Sequence, residues 1–159
     1  MSDAADPGLP TPTAELVDHI VARYHDTIRR ELPELIALAR RVERVHAGVA
    51  DAPAGLAVLL ETIQADMLEH MAKEEQVLFP MMRAGGHPMI GMPITMMRHE
   101  HAGHAAHLDS LERLTHGHVP PEGACTSWRT LYAGTRRFAE DLVAHMHVEN
   151  DVLFPRFGA

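Results

Sequence analysis

A chain of 159 residues is long enough for one domain with a proper core and too short for two of ordinary size. Its 14 Lys and Arg against 22 Asp and Glu leave a formal charge of −8, which argues against nucleic acid, an anionic membrane or another polyanion as partner. One cysteine, Cys125, excludes an intramolecular disulfide framework and a thiolate cage. No apolar run approaches the ~18 residues of a membrane span, and MSDAADPGLPTPT lacks the basic and apolar parts of a signal peptide. These features predict a short disordered tail over residues 1–13, a single domain over 14–159 and a cytoplasmic location. Histidine is the anomaly: 13 residues, against 4 Phe, 2 Tyr and 1 Trp.

Apolar positions recur at three and four along nearly the whole chain, so the elements read as helices. Thr13 is a candidate N-cap for a first helix through about His46, with a kink or local unwinding expected near Leu32 because Pro33 follows it. A second helix is predicted from about Ala54 to Arg83, stopping at Gly85-Gly86. The third begins near Pro93, which suits a first helical turn, and ends near His116-Gly117. Thr126 or Ser127 caps the fourth, which ends near Pro155. Four helices with short connections predict an all-α, antiparallel up-down four-helix bundle.

The chain also repeats itself. HMAKEEQVLFP at 70–80 and HMHVENDVLFP at 145–155 share H-M-x-x-E-x-x-V-L-F-P in one register. His70 and His145 are 75 residues apart, and His25 and His101 are 76 apart. Each half is therefore a helical hairpin with a lone histidine on one helix and H-x-x-x-E on the next, the two related by a pseudo-twofold. Four residues turn a helix through about 400°, so His70 and Glu74 share a face, as do His145 and Glu149. The apolar stripes decide which face. Ile63, Met67, His70, Glu74, Val77 and Met81 form one; Phe138, Leu142, His145, Glu149 and Val152 form another. Val21, His25, Ile28, Leu32 and Leu35 mark the first helix, and Ile94, Met97, His101, Leu108 and Leu111 the third. All six polar groups thus fall on core faces.

Buried carboxylates without partners are expensive. A pair of metal ions supplies the opposite charge, and imidazole with carboxylate suits iron, manganese or zinc. Glu74 and Glu149 would bridge, leaving two histidines for each ion. His46 lies 21 residues beyond His25, about 31 Å along a continuous helix, so both cannot reach one centre. His104 follows His101 by one turn on the core stripe, as an extra ligand, a donor behind the ligands or a lid. Asp66 and Glu100 either orient a ligand's second nitrogen, relay protons or are solvated carboxylates. His19, His87, His116, His118 and His147 read as solvated; His99 and His107 have no assigned role. The ten methionines read as core packing, and Cys125 as an inert thiol.

HIVARYHDTIRRELPEL at 19–35, VERVH at 42–46, HMAKEEQVLFPMM at 70–82, EH at 100–101, ACTSW at 124–128 and the closing HVENDVLFPR together resemble the iron–sulfur cluster repair di-iron proteins. These are bacterial hemerythrin-like proteins associated with nitric oxide and oxidative stress. The resemblance runs from about residue 14 to the C-terminus. It implies a hemerythrin-like bundle with His25, His70, His101 and His145 as ligands to two iron ions, joined by an oxo or hydroxo bridge, and Glu74 and Glu149 as bridging carboxylates. It further implies repair of damaged clusters by iron delivery, or by binding and reduction of nitric oxide in the manner of a nitric oxide reductase. Partners on this reading are nitric oxide, oxygen, iron–sulfur client proteins and an electron donor, and the protein is expected to be a monomer. A sensor, carrier or store for oxygen, nitric oxide or iron, without turnover, stands as the alternative. Longer members carry a small N-terminal domain with neighbouring cysteines where this sequence has a short tail, so thiol chemistry of that domain is not expected. Oxygen-carrying hemerythrins use a fifth histidine in H-x-x-x-H; Ala105 stands in that place here.

Overall fold

The computed structural model describes residues 8–158. Among them are four long helical stretches and no strand. The first, α1, runs through Thr13–Ile20, a π-helical turn at Val21–His25, and Asp26–Val45. The second, α2, comprises Leu56–Lys73, a π-helical turn at Glu74–Leu78, and Phe79–Arg83. The third, α3, is uninterrupted over Gly91–Leu114. The fourth, α4, takes in Thr126–His147 and a π-helical turn at Val148–Leu153, and a 3₁₀ turn at Phe154–Phe157 follows. Both α1 and α3 pack against α2 and α4, so chain neighbours are also neighbours in space: the up-down four-helix bundle expected from the sequence.

The helix ends follow local chemistry. Pro12 occupies the first cap, and Thr13 is already helical. Gly55 opens α2 at φ 92°, with its N–H and that of Ala57 donating to the Glu43 carboxylate at 2.6 and 3.0 Å. A side chain of α1 thereby satisfies two of the orphan donors that start α2. Gly85 and Gly86 stop α2 with φ of 93° and 118°, a conformation open to glycine at little cost. Cys125, rather than Thr126 or Ser127, takes the cap position of α4, with no side-chain bond. The unwinding expected near Leu32 does not occur, since the α-helix continues through Pro33. Pro33 and Arg29 are both exposed, so the hydrogen bond that proline removes lies on the outer side of α1 rather than against the apolar core.

Two apolar clusters fill the bundle. One contains Leu32, Leu35, Leu60, Ile63, Trp128, Leu131 and Tyr132; the other contains Leu16, Ile20, Leu78, Phe79, Ile94, Leu153 and Phe154. The six His and Glu residues on which the repeat converges belong to neither. The π turns explain where the predicted stripes slip. Val77 is 48 % exposed and Met81 half-buried, while Leu78 and Met82 are buried. Val152 is half-buried beside buried Leu153, and Val21 half-buried beside buried Ile20. Each slip is one residue, as expected when a π turn inserts one extra residue into an α-helix. Leu108, also on a predicted stripe, is half-buried.

Residues 1–7 of the expected tail lie outside the described residues. Beyond them, Leu9 packs on the second cluster, and the Arg156 guanidinium donates to the Thr11 carbonyl at 2.6 Å and the Thr13 hydroxyl at 3.1 Å. No helix among the described residues is long and apolar enough to cross a membrane.

Candidate metal centre

Each helix delivers one histidine to a single level of the bundle: His25 from α1, His70 from α2, His101 from α3 and His145 from α4. Glu74 and Glu149 join them one turn beyond His70 and His145. All six are buried, none more than 3 % exposed. Three π turns coincide with this level: His25 ends one, Glu74 opens the second and Glu149 lies in the third. The wider turn places a ligand and resets the face of the chain beside it.

The donor atoms form two groups that share both carboxylates. His25, Glu74, His145 and Glu149 make one; His70, Glu74, His101 and Glu149 make the other, with one donor atom of each residue within 4.8 Å of the rest. Glu149 divides its oxygens between them. Its Oε1 lies 2.9 Å from His101 Nε2, and its Oε2 lies 3.0 Å from His145 Nε2. Glu74 Oε1 stands 3.3 Å from Nε2 of both His25 and His70. His104 is buried and edge-on to His70, with ring centroids 4.7 Å apart, yet it belongs to neither group.

These residues fit a pair of cations. His25 Nε2, both Glu74 oxygens and Glu149 Oε1 are buried without a hydrogen-bond partner, a costly condition that coordination to an ion removes. Without an ion the site balances its charge by holding protons. Burial disfavours the imidazolium, but the adjacent Glu149 and Glu74 carboxylates outweigh it, pushing His25 up to about 10 and His70 up to about 11. Burial likewise opposes the Glu149 carboxylate, but the neighbouring imidazoles of His145, His101 and His25 hold it well below the usual carboxylate range. His104 moves the other way: burial first, then the charges of His70 and His101, bring it down to about 3.

Behind the donors lies a second ring of contacts, most of it absent from the sequence reading. His25 Nδ1 meets Glu75 Oε2 at 2.8 Å, and Arg29 holds that carboxylate from outside. His70 Nδ1 meets Glu100 Oε1 at 3.0 Å, and Lys73 donates to Glu100 Oε2 at 3.0 Å. His101 Nδ1 donates to Asn150 Oδ1 at 2.8 Å. Partial burial opposes ionisation of Glu75 and Glu100; Arg29 with His25, and Lys73 with His70, nevertheless keep both below the usual carboxylate range. An N–H on Nδ1 leaves the Nε2 lone pair for a cation. His145 differs: its Nδ1 is buried without a partner, and its ring stacks on Tyr24 at 5.0 Å and 3°.

Of the two carboxylates singled out as possible orienting groups, Glu100 takes that place and Asp66 does not. Asp66 is half-exposed and lies 3.6 Å from His107 Nε2. The repeat offset relates the missed residues to one another. Glu75 and Asn150 are 75 apart, each following one of the two shared glutamates; Tyr24 and Glu100 are 76 apart, each preceding a lone histidine. His46 packs on Trp128, away from the centre, with Nε2 3.2 Å from Cys125 Sγ. His118, read as solvated, is half-buried and bonds the buried Thr135 hydroxyl at 2.9 Å.

A four-helix bundle whose helices pool histidines and shared glutamates at one level is built to bind cations. The family model for the hemerythrin HHE cation binding domain matches residues 16–157, and the chain belongs to this family. Within it, the chain is similar to the iron–sulfur cluster repair protein YtfE of Pectobacterium carotovorum subsp. carotovorum (strain PC1), at 47 % identity over 155 residues, covering 98 % of this chain and 70 % of that protein. The probable iron–sulfur cluster repair protein of Haemophilus influenzae is 45 % identical over 143 residues, covering 90 % of this chain and 64 % of its own length.

Proposed function

We propose that the protein is a non-haem di-iron protein of iron–sulfur cluster repair, serving clusters damaged by nitric oxide or oxidative stress. His25 and His145 hold one ion, His70 and His101 the other, and Glu74 and Glu149 bridge. The observation that carries the reading is Glu149, which turns one oxygen to a histidine of each group at 2.9 and 3.0 Å. Names of similar proteins in two genera supply the repair role. Bound iron would supply open coordination positions and one-electron redox change to small molecules such as nitric oxide and oxygen. The chain's own part is to keep the Nε2 lone pairs aimed inward and to surround the ions with apolar clusters that exclude bulk water. Iron–sulfur client proteins and an electron donor are the partners this role requires, acting in the cytoplasm on a monomer.

Mixing iron-loaded protein anaerobically with a client whose cluster has been damaged by nitric oxide tests this. Recovery of the client's cluster absorbance with matching loss of iron from the protein is expected; no recovery above that given by free ferrous iron contradicts it. The full burial of the donors suits a second reading, a sensor or store for oxygen, nitric oxide or iron without turnover. A stable, stoichiometric adduct with excess nitric oxide favours that reading, and repeated formation of nitrous oxide favours reduction.

A further inference from the structure

The two ion positions are related by the repeat, yet their surroundings are not equal. At the position of His70 and His101, both imidazoles are fixed through Nδ1, by Glu100 at 3.0 Å and Asn150 at 2.8 Å. At the position of His25 and His145, only His25 is fixed, by Glu75 at 2.8 Å. His145 Nδ1 is buried without a partner. The repeat locates the cause in one residue. Glu75 and Asn150 are equivalent and serve the equivalent histidines His25 and His101. Glu100 serves His70, and its equivalent, which faces His145, is Tyr24. An aromatic ring covers the imidazole there but accepts no hydrogen bond from Nδ1 in the ring plane. Arg23 lies 5.0 Å from the Tyr24 ring and is tied to Asp141 through both guanidinium nitrogens, at 3.0 and 2.9 Å, so the stack is held from outside.

Partners behind a ligating histidine set its tautomer, fix its ring and raise its basicity, and losing one typically costs about 10–100-fold in metal affinity. We propose that the centre is unequal by construction: the position of His70 and His101 fills first and holds its ion, and the position of His25 and His145 is the exchangeable one. Glu100, Asn150 and Glu75 are positioning residues in this scheme, and Tyr24 is what makes the difference. The inference rests on the dinuclear reading above and assigns the ion available for delivery to one side of it.

Zinc serves as a probe that needs no redox control. Metal-free protein with ¹⁵N-labelled imidazoles is titrated with Zn(II), and each Nε2 reports its own ligation by its chemical shift. With one equivalent, His70 and His101 are expected to move while His25 and His145 keep their metal-free shifts; the second equivalent moves the remaining pair. Movement of His25 and His145 first, or of all four together, overturns the proposal and leaves the dinuclear centre standing. If no histidine moves, the centre and the proposal fall together. Glu100→Leu, at a half-buried position, removes the acceptor behind His70 and is expected to weaken the first ion about 10–100-fold against a competing chelator and to abolish the filling order. An unchanged order and unchanged affinity in that variant contradict the role given to Glu100, whatever it does to stability.

Discussion

The two hairpins carry the same candidate donors on the same kind of helix, and they differ in what stands behind them. In the first, His25 and His70 each lean on a carboxylate that is itself paired with a cation, Glu75 with Arg29 and Glu100 with Lys73. In the second, His101 leans on a neutral amide and His145 on an aromatic face. The two shared glutamates differ as well. Glu74 presents one oxygen to both of its histidines, at 3.3 Å each, whereas Glu149 presents separate oxygens at 2.9 and 3.0 Å. A duplicated motif thus fixes the identity of the donors, and unduplicated neighbours set how firmly each is held.

Breaking the bridges should give the largest effect and should separate the halves. Glu149→Ala removes the contact of both groups and strands the buried imidazoles of His101 and His145, so the metal-free protein is expected to lose about 3–5 kcal/mol in denaturant unfolding. Iron content should fall below about one per chain, because each position loses one of the two carboxylates it shares with the other. Glu74→Ala should follow the same direction with a smaller loss of stability, since its contacts are longer. Equal losses would remove the distinction between the two glutamates.

Proton release probes the first hairpin alone. His25 and His70 have raised values, about 10 and 11, so their pairs stabilise the metal-free fold fully below the unfolded value of 6.5. That stability is lost as pH rises through the folded values. Glu149 is depressed, so its contribution is present above 4.5 and is lost as pH falls through its folded value. Metal-free protein should therefore be most stable between about pH 4.5 and 6.5 and should weaken on both sides of that window, by thermal melting. At pH 8, metal binding should release about two protons from these histidines into a dye-indicator buffer; release of none would mean that His25 and His70 are neutral before the ion arrives.

Deleting Gln76, exposed within the π turn of α2, should return that stretch to a plain α-helix and carry Leu78 and Met82 onto the regular three-four pattern. The fold should survive while metal affinity falls at least about tenfold, because Glu74 opens this turn. Deleting the equivalent Asp151 should do the same from the other hairpin. Unchanged affinity in both would make the π turns incidental. Glu43→Ala is the smallest change and the control. It removes the carboxylate that caps α2 at Gly55 and Ala57, for an expected loss of about 1 kcal/mol with metal content unaltered.

Helix number, helix order and the six His and Glu residues that meet at one level were legible because two independent periods agree. The three-four spacing places His70, Glu74, His145 and Glu149 inside, and the offsets of 75 and 76 pair them with His25 and His101. The π turns were not legible. Val77 and Leu78 are both apolar, so a one-residue slip leaves the composition of the stripe unchanged. Glu75, Asn150 and Tyr24 were hidden for a different reason: each acts across helices on a histidine of another element, which spacing within one helix does not report. The unwinding expected at Pro33 is avoided because Pro33 and Arg29, whose carbonyl loses its N–H partner, both lie on the exposed side of α1. Glu100 and Asp66 looked alike in sequence and were separated only by where α2 and α3 meet.

The central claim is that one bundle level holds two ions joined by Glu74 and Glu149. Mössbauer spectroscopy of ⁵⁷Fe-loaded protein, with iron counted per chain, tests it most directly. About two irons per chain, magnetically coupled in the oxidised state and reduced to an uncoupled minority in Glu149→Ala, is the result predicted. A single uncoupled iron per chain, or a spectrum indifferent to Glu149→Ala, would contradict it.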